Sequence, residues 1–199
     1  VLTPEGANFR GGRHFTATAP GARREYSNIG ARIAGAAAER AGGASLRDLM
    51  RREVFRPLGM RRTSWDARDF APGELALRYD VAPCKTTPCA LTPDRLKVHP
   101  PNLNTNYPDG GVHASARDLA TLTLAVLNGG RKGSYVLVSP ESFREMLRPQ
   151  LEDPAEARQR FFWRERDGLV GHAGSDLGAY TSLYFDVESG NGFVVLMNR

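Results

Sequence analysis

The spacing of apolar residues changes from a helical pattern to a strand pattern near Phe161, and this change limits the folds open to the chain. The dipeptide Asp167-Gly168 is a strong hairpin signal. A second turn is predicted from Glu188 to Gly192. Helices first and an antiparallel meander last predict an α+β architecture. The predicted strand runs are 161–163, 169–174, 179–187 and 193–197.

The segment before Phe161 has four runs with helical spacing. The first opens at Tyr26-Ser27-Asn28, after the turn-forming Pro20-Gly21, and closes at Gly42-Gly43, which is typical of a helix end. We expect Pro57 to stop the second run. Each of the other three runs starts with a serine suited to cap the helix, and these serines are Ser45, Ser115 and Ser139.

Residues 66–108 have seven prolines from Pro72 onward and almost no periodicity, so a long irregular segment is expected there. Cys84 and Cys89 flank a Thr-Pro turn within it. In an exported protein the pair would suit a small disulfide, whereas in a reducing cytosol both would be free thiols. The sequence leaves these two alternatives open, and no metal-ligand spacing accompanies the pair.

The charge pattern argues against a nucleic-acid-binding protein. The net charge is +5, and all but three of the 27 basic residues are arginine. These arginines occur singly or in pairs near acids, without the basic stripe that a nucleic-acid footprint needs. No apolar run approaches the roughly 20 residues of a membrane helix, so no membrane span is expected in this segment.

Two short motifs place reactive side chains at structural junctions. Tyr26 and Asn28 stand at a helix entrance, where their side chains can point into a cleft. His172 stands in Gly171-His172-Ala173-Gly174-Ser175, where glycines let a substrate backbone approach a strand. Each motif alone is more typical of a packed tyrosine or an ordinary strand histidine. No Gly-x-Ser-x-Gly elbow, phosphate loop or zinc spacing is present.

The order of motifs is more specific than any one of them. Tyr-Ser-Asn is followed by Pro-Leu-Gly-Met, by Gly-Gly before a Ser-Ala-Arg-Asp helix, and by His-Ala-Gly on a strand. This order resembles the serine β-lactamase and penicillin-binding protein superfamily, and within it the class C-like branch with related esterases and D-aminopeptidases. The resemblance covers about residues 20–199 and fades between 66 and 106.

The resemblance implies a role for each matching residue. Tyr26 matches the tyrosine that moves protons to and from the nucleophile and leaving group, and Asn28 matches the asparagine that holds the substrate amide. His172 takes the place of the lysine in Lys-Thr-Gly. The backbone N–H of Ser175, after Gly174, corresponds to half of the oxyanion hole. Tyrosine, with a reference pKa of about 10, needs positive neighbours to act as a base.

Two departures from the family pattern matter. Family members acylate the serine of a Ser-x-x-Lys motif, but Ala82, Asp94 and Gly129 stand three residues before the three lysines. We therefore expect the nucleophile to lie upstream of Val1. His172-Ala173 also lacks the fixed cation and hydroxyl with which Lys-Thr members receive a carboxylate.

We therefore predict part of a β-lactamase/transpeptidase-like domain, with a helical lobe over about residues 20–130 and part of an α/β lobe over about 131–199. The expected activity is that of a serine hydrolase acting through an acyl-enzyme on a small-molecule or peptide substrate, without a cofactor. The alternatives are a non-catalytic module that binds peptidoglycan-type peptides or a protein, and a basic nucleic-acid-binding module. The family resemblance favours a periplasmic, secreted or cell-envelope location, and the oligomeric state stays open.

Overall fold

The computed structural model describes residues 16–83, 92–100, 107–153 and 158–198. The fold is α+β, as predicted, with a helical part followed by an antiparallel meander. The helices are α1 (Asn28–Gly42), α2 (Leu46–Met50), a π-helix (Arg51–Phe55), α3 (Arg56–Leu58), α4 (Ala116–Leu127) and α5 (Pro140–Leu147). The strands are β1 (Thr63–Ser64), β2 (Arg78–Val81), β3 (Leu96–His99), β4 (His113–Ala114), β5 (Arg131–Lys132), β6 (Tyr135–Val136), β7 (Arg164–Arg166), β8 (Leu169–Asp176), β9 (Ala179–Asp186) and β10 (Asn191–Met197).

Serine caps start the helices where the sequence predicts them. Ser27 accepts a hydrogen bond from Gly30 N at α1, and Ser45, Ser115 and Ser139 accept equivalent bonds at α2, α4 and α5. Each cap satisfies a backbone N–H that the first helical turn cannot bond internally. Gly43 ends α1 with a φ of 64°, a left-handed conformation that glycine adopts without a Cβ penalty.

The expected stop at Pro57 is wrong, because the helical segment continues to Leu58. Pro57 lies in α3, which follows the π-helix directly. Proline has no N–H to donate to the carbonyl four residues earlier, that of Glu53. The hydroxyl of Tyr135 donates to this carbonyl at 2.6 Å instead, so it does not remain unpaired.

The segment predicted to be irregular contains a hairpin that the sequence pattern did not show. β2 pairs with β3 in antiparallel register, from Arg78 opposite His99 to Val81 opposite Leu96. Each strand has only four residues, too few for an alternating pattern to stand out. Cys84 and Cys89 lie outside the described residues.

The meander forms one sheet in the order β10-β9-β8-β7. Its hairpins agree with the predicted turns, but Phe161–Trp163 precedes β7 rather than forming it. Phe162 has a φ of 60°, which is incompatible with a strand. β8 extends to Asp176 and β10 begins at Asn191, so both are longer than predicted.

Two apolar groups hold the described parts together. One consists of buried residues from the helical segment, the chain on either side of β1, and α4: Phe55, Leu58, Met60, Trp65 and Ala125. The other lies on the sheet, where Phe185 is fully buried and meets Trp163 edge-on at 5.3 Å. Helix α4 packs on β9 and β10, and a Cβ on Gly192 would lie 2.9 Å from Thr123 Cγ2. Among the described residues, no helix combines the length and apolarity needed to cross a bilayer.

Candidate active site

The ring of Tyr26 lies beside the ring of His172, so the fold brings the two predicted motifs together. Their centroids are 6.3 Å apart and the ring planes are inclined by 36°. Tyr26 stands immediately before Ser27, the cap of α1, and His172 stands within β8 opposite Leu183. The capped helix entrance fixes one ring and the paired strand fixes the other.

The polar groups of this pair are open to a ligand. Tyr26 is 63% exposed, and Asn28 and His172 are exposed as well. Within the described parts of the chain, the Tyr26 hydroxyl, the Asn28 carboxamide and the His172 ring form no hydrogen bond with another residue. Asn28 is the first residue of α1. All three groups are therefore available to bind an incoming molecule.

The strand that carries His172 has a free edge at the site. β7 accompanies β8 only as far as Gly171, opposite Arg164. From His172 to Asp176, β8 pairs with β9 alone among the described strands. Gly174 and Ser175 lie on this stretch, opposite Thr181 and Tyr180. An unpaired strand edge presents backbone N–H groups that can hydrogen-bond to an extended substrate or an oxyanion.

A cavity of about 260 Å³ lies beside this stretch of β8. Its wall is formed by His172, Ala173 and Gly174 together with side chains of β9, β10 and α4. Gly174 matters for the shape of this wall, because a Cβ there would lie only 2.8 Å from Thr181 Oγ1. Glycine thus lets β8 and β9 stay close where the cavity begins.

Arg24 is part of the site although the sequence analysis did not single it out. Its guanidinium carbon lies 5.9 Å from the centroid of the Tyr26 ring, within the range of a cation–π interaction. Its Nε donates to Gln159 Oε1 at 2.6 Å, and Gln159 Nε2 donates to the carbonyl oxygen of Trp163 at 3.0 Å. The closeness of Arg24 to Tyr26 in the sequence was an available signal, but nothing marked Gln159.

The far end of β8 is supported by the hairpin β2–β3. Asp80 accepts a hydrogen bond from Gly178 N at 3.1 Å and contacts His99 Nε2 at 2.7 Å. Arg78 forms an ion pair with Asp176 at 3.7 Å. The hydrogen bond from His99 is the main cause that lowers the pKa of Asp80. The hairpin therefore holds the turn that follows the Gly174-Ser175 stretch.

His113 does not line the cavity beside His172. It packs edge-on against Phe70 with centroids 5.9 Å apart, beside a larger cavity of about 480 Å³. Burial, and secondarily the charge of Arg78, lower the pKa of His113. No group of three or more potential metal-ligating side chains occurs in the described residues.

The family model named Beta-lactamase matches residues 12–199. The chain belongs to the β-lactamase family. The match spans both motifs, Tyr26-Ser27-Asn28 and His172-Ala173-Gly174, and the β-lactamase/transpeptidase-like fold that the motif order implies is confirmed. The comparison with curated proteins finds no match.

Solved structures with the same fold include proteins of several activities. The octameric penicillin-binding protein homologue from Pyrococcus abyssi has a TM-score of 0.71 at 23% identity, over 93% of this chain and 41% of its own. The D-amino acid amidase from Ochrobactrum anthropi SV3, complexed with L-phenylalanine amide, gives 0.68 at 22% identity, over 94% and 53%. A class C β-lactamase gives 0.68 at 16% identity, over 92% and 54%.

At such identities each likeness shows the fold alone. The chain spans about half the length of the structures it matches.

Proposed function

We propose that this chain forms part of a serine hydrolase that acts through an acyl-enzyme on esters, amides or D-amino-acid derivatives. The observation that carries the proposal is the meeting of Tyr26 and His172, with the Arg24 guanidinium on the same tyrosine. An accessible phenol beside a guanidinium and an imidazole suits proton transfer, because its oxygen can exchange a proton with a bound substrate. A packed structural tyrosine would instead have its ring buried.

In the proposed reaction, Tyr26 takes the proton of a serine hydroxyl as that oxygen attacks the substrate carbonyl. The tetrahedral oxyanion accepts a hydrogen bond from the backbone N–H of Ser175, after Gly174 on β8, as one half of an oxyanion hole that stabilises the charge developing in the transition state. Tyr26 then gives the proton to the leaving group as the carbonyl reforms, and water releases the acyl group by the same route. Asn28 would hold the substrate amide.

The serine and lysine of this reaction are expected outside the chain. No serine stands three residues before Lys85, Lys97 or Lys132, so the Ser-x-x-Lys motif is absent from these 199 residues. The complete protein would supply both groups upstream of Val1. Nucleophilic catalysis needs them in contact with the base, so the isolated chain should not turn over substrate.

The substrate class is proposed from the residues beside Gly174. Ala173 offers no hydroxyl, and at position 172 an imidazole stands where Lys-Thr members carry the permanently charged ammonium group of lysine. A carboxylate on the substrate would lose a hydrogen bond to a charged group there, whereas neutral esters and amides would lose nothing. The fold neighbour named D-amino acid amidase, complexed with L-phenylalanine amide, supports amides as candidate substrates.

The test uses the complete protein with Tyr26→Phe, and Tyr79→Phe as the matched control. Tyr79 lies on β2, and like Tyr26 its hydroxyl forms no hydrogen bond within the described chain. We expect a fluorophosphonate to label one serine in the wild type. In Tyr26→Phe, kcat/KM for p-nitrophenyl acetate should fall by about 10²–10⁴-fold with unchanged stability.

A Tyr26→Phe variant that keeps more than half of the wild-type activity would refute the role of Tyr26. A complete protein that no serine-directed reagent labels would refute the acyl-enzyme. Retained binding of peptidoglycan-type peptides in that case would favour the non-catalytic module.

A further inference from the structure

Four arginines surround a second cavity on the helical side of the molecule, and we call it the arginine pocket. It has a volume of about 340 Å³ and is lined by Arg47, Arg51, Arg56 and Arg61. It shares no lining residue with the cavity beside His172. In the sequence these arginines are four or five residues apart, so they form no continuous basic run.

The π-helix is what gathers the arginines. Arg56 N donates to the carbonyl oxygen of Arg51, a bond between residues five apart. In a regular α-helix residues five apart diverge around the axis, whereas this bonding stacks them more nearly above one another. Arg47 precedes Arg51 by four residues and so lies on the same face. Gly59, with a φ of 69°, then turns the chain so that Arg61 returns to the pocket.

The positive charge in the pocket is largely uncompensated. Arg47 is paired with Asp66 at 3.3 Å, but Asp66 is shared with Arg68. Within the described ranges, Arg51, Arg56 and Arg61 form no ion pair. One carboxylate lines the pocket, that of Asp69, and it accepts a hydrogen bond from Ser64 Oγ at 2.5 Å. Lys132 Nζ adds a further cation close by, because it donates to the carbonyl oxygen of Leu58.

Part of the pocket wall is formed by buried apolar side chains. Phe55, Met60 and Trp65 form this part, and their exposed fractions are 7%, 4% and 5%. Charges that converge over such a wall are screened less than charges on an open surface, so they repel one another more strongly. The same wall strengthens the attraction for an anion that enters. The volume also lies at the lower end of the range for small-molecule sites.

We propose that the arginine pocket binds a small soluble anion with at least two phosphate groups. Guanidinium groups match phosphate in geometry because two parallel N–H groups can meet two oxygens. Fewer than three arginines are enough to bind the oxygens of a single phosphate group. The presence of three arginines without ion pairs therefore favours a diphosphate over a monophosphate. The π-helix also fits this assignment, since π-bulges occur frequently at functional sites.

The test is titration calorimetry of the complete protein with inorganic pyrophosphate, and with inorganic phosphate for comparison. At about 50 mM NaCl we expect a Kd for pyrophosphate below about 1 mM, and weaker binding of phosphate. The variant Arg51→Ala should weaken pyrophosphate binding about tenfold, or about 1.4 kcal/mol. Arg61→Ala should weaken pyrophosphate binding by a similar factor. Because Arg61 lies outside the helix, this variant tests the proposal even if Arg51→Ala fails to fold.

The control variant is Arg144→Ala, which removes the same charge from α5, away from the pocket. It should leave the Kd within about twofold of the wild type, because surface charges farther than a Debye length are largely screened. Absence of heat with pyrophosphate, or an equal loss in Arg144→Ala, overturns the proposal. Binding to phosphatidic acid vesicles without binding to pyrophosphate overturns the assignment of a small soluble ligand. Because the experiment measures anion binding, its result is independent of whether the protein hydrolyses esters.

Discussion

Asp118 joins α4 to the start of β1, and its removal should destabilise the protein strongly. Its side chain is buried, with the residue 6% exposed. Oδ2 accepts hydrogen bonds from Arg62 N at 2.7 Å and from Thr63 Oγ1 at 2.8 Å. These bonds hold the segment that leads to Trp65 against α4. We therefore select Asp118→Ala as the perturbation.

The expected loss follows from these contacts. A hydrogen bond to a charged group contributes about 1.5–3 kcal/mol, and a buried donor left without an acceptor costs about 1–3 kcal/mol. The Thr63 hydroxyl can rotate to another acceptor, but Arg62 N cannot. We expect Asp118→Ala to lower the free energy of unfolding by about 3–5 kcal/mol, a large part of the 5–15 kcal/mol typical of a domain. The capping bond from Asp118 N to Ser115 Oγ is retained, since it uses the backbone.

The assay is urea unfolding of the complete protein followed by tryptophan fluorescence. Asp118→Asn keeps one neutral acceptor, so its loss should be smaller, about 1–2 kcal/mol. The control is Glu188→Ala in the exposed turn before β10, which should change the free energy of unfolding by less than about 0.5 kcal/mol. A loss below about 1 kcal/mol in Asp118→Ala would show that these hydrogen bonds do not hold β1 on α4.

Three further predictions concern substrate, redox state and pH. The complete enzyme should show a higher kcat/KM for p-nitrophenyl acetate than for nitrocefin at pH 7. Arg24→Ala should increase the ratio of the two kcat/KM values. A higher kcat/KM for nitrocefin than for p-nitrophenyl acetate in the wild type would contradict the proposed substrate class. If the protein is exported, Cys84 and Cys89 should form a disulfide worth about 2 kcal/mol, seen as a lower mass before reduction; two alkylatable thiols in native material would exclude it. Because the His99 hydrogen bond lowers the pKa of Asp80, this carboxylate contributes stability above its unfolded pKa of about 3.9 and loses it as pH falls. Asp80→Asn should therefore reduce the fall in the urea midpoint as the pH is lowered from about 5 through the unfolded pKa, and an unchanged fall would refute the role of the pair.

Local signals predicted the parts of the fold that local chemistry determines. The serine caps of α2, α4 and α5 and the turn at Asp167-Gly168 each depend on a few neighbouring residues. The helical continuation through Pro57 was not predictable in this way, because it depends on Tyr135 bonding to the Glu53 carbonyl from far along the chain. The hairpin β2–β3 was missed for a similar reason, since its strands are short and a long segment separates them.

The candidate site also combines residues that the sequence predicted with residues that it did not. Tyr26, Asn28 and His172 were predicted as site residues because their motifs occur in the order of a known family, and the fold brings Tyr26 to His172. Gln159 was not found, because its only distinguishing feature is a hydrogen bond to Arg24 that the sequence does not encode locally. Tertiary packing determines which other groups join the motif residues in a cleft.

The hydrogen bond between Arg24 and Gln159 also has a consequence for the order of folding. The strands of the meander pair with their sequence neighbours, so this sheet can form through short loop closures. The Tyr26 segment reaches the sheet only through contacts that span most of the chain, which close with a larger entropic cost and therefore late. We therefore expect Tyr26 to meet His172 in the last stage of folding, so that an incompletely folded chain lacks the candidate site.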